Sequence, residues 1–326
     1  MKSVSSLVFA LIIFSSSFAA SFPKYASEFL YTAGDSRAWS MGSAYVAATN
    51  NATSGFWNPA GLVNAQGLQV YFTHTRQFLS SIQYDYVAAS NQFEDGTMLG
   101  FSFLRLGISE IKNSQEAGLK IDSDLVGLDY SKIYTFGTSD NTFILSYAKK
   151  YTDEIFIGAN AKLIYRDYSS ESAYGIGFDA GMQYKLYPEL TVGLMLRDIT
   201  TTMIAWSTGE KEFIAPSIRG GLSYDYLIDD WGLAFRPAME LGFLFESRDA
   251  AAQINLGPIS LDSFWGLETA YKDLLFLRLG YDDLGRFNGG LGVAITKFGV
   301  DYSYTNFDKE LGNVHRISFH LNLDAI

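Results

Sequence analysis

The sequence predicts an all-β chain, a transmembrane outer-membrane β-barrel of about fourteen antiparallel strands with a partly helical plug, or hatch, at its N-terminal side. Three observations predict it. Apolar and polar residues alternate strictly from residue 68 onward, the period of a strand with two unlike faces. Many of these segments are long enough to cross a bilayer when tilted, about ten residues, whereas soluble strands average roughly five or six. Finally, the chain carries 25 Phe, 21 Tyr and 5 Trp, with tyrosines gathered toward the strand ends as an interfacial girdle requires.

The chain opens with Lys2, an apolar run from Val4 to Phe14 and a small-residue stretch ending in Ala19-Ala20. This is the pattern of a secretory signal peptide at 1–19, cut after Ala19. The apolar run is too short to span a bilayer as a helix, which takes ~20 residues. With no cysteine in the chain, a lipoprotein anchor, a disulfide scaffold and a Cys-based zinc site are all excluded. Net charge is −11 and the basic residues are scattered, which argues against nucleic acid as a partner.

Residues 20–67 do not alternate. Asp35 to Ala48 is rich in Ala, Met, Trp and Tyr and is expected to form a short helix, followed by the Phe56-Trp57-Asn58-Pro59-Ala60 corner. Pro59 fixes one backbone angle and biases Asn58 toward an extended conformation. The corner is therefore expected to be a stiff hinge whose two aromatics wedge against the inner wall or an apolar ligand. A barrel of this size encloses more lumen than its own side chains fill, so residues 20–67 are read as the plug and 68–326 as the barrel.

Strands are expected to begin near Leu68, Gln83, Thr97, Asn141, Ile155, Tyr174, Leu190, Ile214, Gly232, Asp262, Leu274, Phe287, Phe298 and Asn313. Their connections alternate between short (92–96, 151–154, 186–189, 227–231, 272–273, 296–297) and longer (76–82, 107–140, 169–173, 203–213, 247–261, 282–286, 305–312). That asymmetry matches short periplasmic turns and longer outer loops. Lys162, Arg166, Asp179, Arg219, Glu240, Glu268, Arg278, Asp301, Arg316 and His320 share the polar parity and are assigned to the lumen, where both signs of charge imply a crosslinked lining. In the third strand Leu99, Phe101 and Phe103 share the lipid parity, which carries Arg105 toward lipid and Leu104 inward. A kink at Leu104 and Arg105 would restore the pattern and open the wall; alternatively the strand has reached the interface and Arg105 snorkels.

The stretch Ala33 to Leu62, with its Asn58-Pro59-Ala60 element, resembles the opening of the PorV/PorQ family of outer-membrane proteins, related to the FadL long-chain fatty-acid transporters. "LTVGLMLRDI" (190–199), "LRLGYDD" (277–283) and the closing "HRISFHLNL" (315–323) extend the likeness. The resemblance implies a fourteen-stranded barrel with an N-terminal hatch. It also implies one of two roles: FadL-like uptake of hydrophobic small molecules through a gap in the wall, or a PorV-like cargo shuttle in type IX protein secretion. A structural outer-membrane barrel is the third reading. The partners expected are outer-membrane lipids together with a hydrophobic ligand or the secretion machinery and its cargo. No enzyme chemistry, metal or cofactor is expected: only His74, His315 and His320 are present, and the last two have opposite parity.

Overall fold

A computed structural model describes residues 28–77, 81–121, 124–245, 252–307 and 312–323. The expected signal peptide and the first residues of the plug lie outside them. Fourteen antiparallel strands close into one barrel. They are β1 Gln69–Gln77, β2 Ile82–Gln92, β3 Met98–Asn113, β4 Tyr134–Lys150, β5 Ile155–Tyr168, β6 Glu171–Tyr187, β7 Leu190–Arg197, β8 Ser217–Tyr224, β9 Leu233–Leu244, β10 Ser260–Tyr271, β11 Leu275–Tyr281, β12 Phe287–Ile295, β13 Phe298–Thr305 and β14 Val314–Asn322. Each pairs with its neighbour in sequence, and β14 closes onto β1 with Phe72 opposite Phe319 and His74 opposite Ile317. Closure leaves no exposed edge, which a chain surrounded by lipid cannot tolerate.

Alternation sorts the side chains as the sequence implies. Leu145 and Leu163 face outward at 60% and 57% exposure, while their neighbours Ile144 and Ile164 face the lumen at 2%. Tyr224, Tyr271, Tyr281 and Tyr302 lie on the outer surface near strand ends. Lys272 and Asp273 both take positive φ, 53° and 48°, in the three-residue connection between β10 and β11, at the centre of a tight turn closed by Leu274 N on Tyr271 O (3.0 Å). Such a turn matches the twist of the strands it joins.

Several boundaries differ from expectation. β4 starts at Tyr134 rather than near Asn141, and β3 runs to Asn113, so much of the expected 107–140 loop is strand. A hairpin, Gly118–Ile121 with Asp124–Leu128, fills the rest. These extensions leave the apolar band, and a strand wetted on both faces no longer alternates. The expected loop at 169–173 is a tight turn, with Ser169 at φ 66° between β5 and β6. β7 breaks after Arg197 and resumes as Thr202–Trp206, which pairs with β6 and, through Lys211–Ile214, leads into β8.

Residues 28–67 pack against inward-facing residues of the strands. The helices of this plug are single turns: α1 Glu28–Tyr31, α2 Ser36–Ser40 and α3 Ser54–Trp57, followed by a 3-10 segment Pro59–Asn64. The helix expected across 35–48 is thus only α2; Asp35 caps it through Ala38 N (3.1 Å), and the chain then turns through Gly42 (φ 61°) and Ser43 (φ 64°).

Candidate functional site

The candidate site is the lumen and the plug that fills it. Inward-facing glycines decide where the plug sits. Gly158 on β5, Gly193 on β7, Gly266 on β10 and Gly280 on β11 leave slots into which plug backbone settles, while Gly181 on β6 and Gly290 on β12 make room for the side chains of Asn58, Pro59 and Ser40. A Cβ at Gly158 would lie 2.5 Å from the Pro59 carbonyl carbon, and one at Gly193 2.5 Å from Val46 O. No side chain fits at such approaches.

Polar side chains of the wall then fasten the plug. Glu240 Oε2 accepts from Tyr45 N (3.0 Å) and Val46 N (2.9 Å), while Arg219 pairs with Glu240 and donates to Ser43 O (3.0 Å). Gln183 Nε2 donates to Thr49 O (3.0 Å) and Ala47 O (3.2 Å). Asn160 Nδ2 donates to Gly55 O (2.8 Å), and Arg197 to Phe56 O (3.2 Å). From the plug, Arg37 grips Glu268 with two bonds of 2.8 and 2.9 Å, the bidentate form that fixes orientation as well as distance.

The residues assigned to the lumen are buried, His320 half-buried, and they gather in separate groups. Lys162 Nζ lies between Asp179 (2.8 Å) and Asp198 (2.6 Å). Arg166 binds Asp140 (2.7 Å) and Glu212 (3.1 Å), with its guanidinium 5.1 Å from the Phe29 ring. Glu268 holds Arg278 (2.6 Å) and Arg236 (3.1 Å) besides Arg37, and Arg278 reaches Asp301 (2.5 Å). His320 stacks on Tyr71 at 4.9 Å and faces Asp301 at 3.5 Å. Arg316 stands apart, lying 4.1 Å over Trp39 and donating to Thr305 Oγ1 (2.9 Å). Sequence parity placed these side chains but missed Asp140, Asp198, Glu212 and Arg37. Asp198 follows the end of β7 and Arg37 sits in the non-alternating plug, where parity carries no information.

At the corner, Phe56 and Trp57 meet edge to face at 5.1 Å. Trp57 points into the plug itself, against Tyr45 (5.9 Å), with Nε1 on Asp35 Oδ2 (2.8 Å). Phe56 faces Tyr86 of the wall at 5.9 Å. Asn58 caps Ala60 N through Oδ1 (3.2 Å) and donates from Nδ2 to Val46 O (2.9 Å) and Met182 O (3.1 Å). The expected hinge is therefore a rivet, because Asn58 and Pro59 are seated against Gly181 and Gly158.

Of the two readings of Leu104 and Arg105, the strand pairing gives no kink. β3 pairs without a break from Met98 through Ile108 on both sides, Leu104 is buried and Arg105 is exposed on the outer wall. The irregularity comes later, between Ile108 and Ile111, where Glu110 has φ 60°. His74 and His315 also point outward and bond Asp85 (2.8 Å) and Tyr302 (2.7 Å) separately. Among the described residues no group of three His, Asp or Glu side chains could hold a metal ion.

Cavities lie on both sides of the plug. Toward the short turns lies a polar cavity of about 640 Å³ lined by Arg37, Lys185, Asp225, Arg236, Glu268 and His320 among others. Above the plug lies a small cavity of about 20 Å³, between Leu30, Phe56, Ile144 and the Lys162 group. Beside it, Phe29 and Leu30 pack on Ile164, Ala173, Ile204 and Ile214.

The architecture has counterparts among solved structures. CymD, a monoaromatic hydrocarbon channel, matches with a TM-score of 0.57 at 14% identity, over 89% of this chain and 97% of that one. The likeness is one of fold. The P. putida toluene transporter TodX matches with a TM-score of 0.56 at 11% identity, over 89% of this chain and 98% of that one. A Pseudomonas aeruginosa FadL homologue matches with a TM-score of 0.54 at 10% identity, over 89% and 98%. No family model matches the sequence, and no curated protein matches it.

Proposed function

We propose that this protein is a FadL-like outer-membrane conduit for hydrophobic small molecules. The observation that carries the reading is an apolar cluster in the upper lumen, beside the Lys162 and Arg166 groups. Leu104, Ile144, Ile164, Ile204 and Ile214 are buried side chains of the inner wall, in a place where a water-filled porin is polar. Phe29 and Leu30 of α1 occupy that zone, and a ligand of similar size and polarity would take their place. Burying a side chain of this kind contributes about 1.5–3 kcal/mol, so an apolar ligand can exchange for α1 without large cost. The hydrocarbon channels with the same fold support the reading.

Tryptophan fluorescence of the detergent-solubilised protein, titrated with toluene, tests it. Saturable change is expected, at lower toluene concentration in Phe29→Ala/Leu30→Ala, whose emptied zone no longer competes. A flat titration in both proteins, with no apolar ligand found by mass spectrometry of the purified protein, would overturn the reading. A pull-down dominated by secretion-machinery subunits would replace it with the secretion role.

A further inference from the structure

The outer wall changes character within one register step across β14, β1, β2 and β3. One row of outward residues, Phe319, Phe72, Val87 and Phe103, is wholly apolar. The next rows toward the long loops carry His74, Asp85 and Arg105, then His315 and Arg76. On β6 the outward apolar run from Tyr174 to Tyr184 measures about 33 Å along the strand, whereas on β3 it runs only from Leu99 to Phe103, about 13 Å. The lipid-facing band is therefore notched on this side, and the notch is basic.

Its charges are unbalanced. Arg76 and Arg105 are exposed and, among the described residues, neither has a carboxylate within ion-pair distance. Among the described residues the one acid of the patch, Asp85, is engaged by His74 Nδ1 at 2.8 Å, and Arg76 Nε donates to His74 Nε2 at 3.3 Å. By contrast, the exposed charges where β5 turns into β6 are acidic, Asp167 and Glu171, in a chain whose net charge is −11. A guanidinium cannot shed its proton, and an arginine facing lipid destabilises a barrel in proportion to its depth. An anion brought by the membrane would remove that cost.

We propose that this patch seats the phosphorylated headgroup of an outer-leaflet lipid, with Arg76 and Arg105 on phosphate oxygens and the acyl chains against Phe72, Val87, Phe103 and Phe319. Ladder geometry puts the two arginine Cα atoms about 12 Å apart, a span that two extended arginine side chains can close onto one phosphate. Guanidinium and phosphate form charge-assisted bonds of good directionality. The site lies outside the lumen, so it stands whether or not the transport reading holds.

The test uses the full chain in phosphatidylcholine vesicles doped with phosphatidic acid. After mild detergent extraction and repurification, mass spectrometry measures bound phosphatidic acid relative to phosphatidylcholine. Wild type should be enriched in phosphatidic acid, and Arg76→Gln/Arg105→Gln should lose roughly thirty-fold of that enrichment, from about 1 kcal/mol per basic residue at a membrane surface. Lys211→Gln, an exposed cation elsewhere, should retain it. Wild-type enrichment should also fall as salt rises, a readout that needs no variant. Equal enrichment in wild type and the double variant, or displacement of phosphatidic acid by an equal concentration of inorganic phosphate, would overturn the proposal.

Discussion

At the scale of single residues, glycine carries more of this architecture than any charged group. Gly280 faces Met41 and Gly42 so closely that a methyl group would overlap plug backbone, whereas nothing lies within 4 Å of a Cβ at Gly107. Gly280→Ala is expected to destabilise by about 1–3 kcal/mol through overpacking. Gly107→Ala should be neutral or stabilise by roughly 0.5–1 kcal/mol, the usual gain over glycine in a strand. Heat-modifiable gel mobility followed against temperature separates the two, and equal midpoints would mean that the plug does not rest on the slots. Asp283, in the loop between β11 and β12, is a second case. Burial, then the adjacent Asp282 carboxylate, raises its pKa from the ordinary 3.8. The folded state therefore holds this proton more tightly than the unfolded one, and the group's contribution becomes less favourable as pH climbs above 3.8. Asp283→Asn should raise the melting temperature at neutral pH and leave it unchanged at pH values well below that. A stabilisation that persisted at low pH would have another cause.

Between residue and element, the sequence was legible wherever lipid and lumen impose opposite demands on alternate positions. β5 begins at Ile155, β7 at Leu190, β12 at Phe287 and β13 at Phe298, each where alternation predicts it, because one face must be apolar and the other must not. The signal fails where that contrast ends. The upper part of β4 from Tyr134, the far end of β3 and the break in β7 after Arg197 lie beyond the two-faced environment or depart from regular pairing. The plug was legible as a departure from alternation, yet its internal arrangement was not. Asn58 looked like part of a hinge because proline stiffness is local, while the bonds to Val46 O and Met182 O that rivet it come from residues remote in sequence. The inward glycines were visible as small residues inside strands, but only the fold shows that six strands present them to one segment. Parity likewise brought Lys162 and Asp179 to the lumen without naming Asp198, whose carboxylate enters at the break in β7.

For the whole molecule, the two sets of interactions are separable. The barrel ladder closes on itself through β1 and β14 without using any plug residue. The plug, in turn, is held by hydrogen bonds and ion pairs to inward side chains, including Glu240, Gln183, Asn160, Arg197 and Glu268. Removing residues 28–67 in frame leaves those groups facing an empty lumen. Water then enters and satisfies them, because a barrel of this strand number is wide enough for its side chains not to fill it, and hydrated carboxylates and guanidiniums avoid the penalty of being buried unpaired. The plugless barrel is accordingly expected to insert and keep heat-modifiable mobility, to melt at lower temperature, and to conduct ions in planar bilayers where the intact chain is nearly closed. Failure to fold would show that the plug templates closure of the ladder. A folded but non-conducting barrel would show that the wall collapses inward over its glycine-lined sector, so that the plug maintains the lumen as well as sealing it.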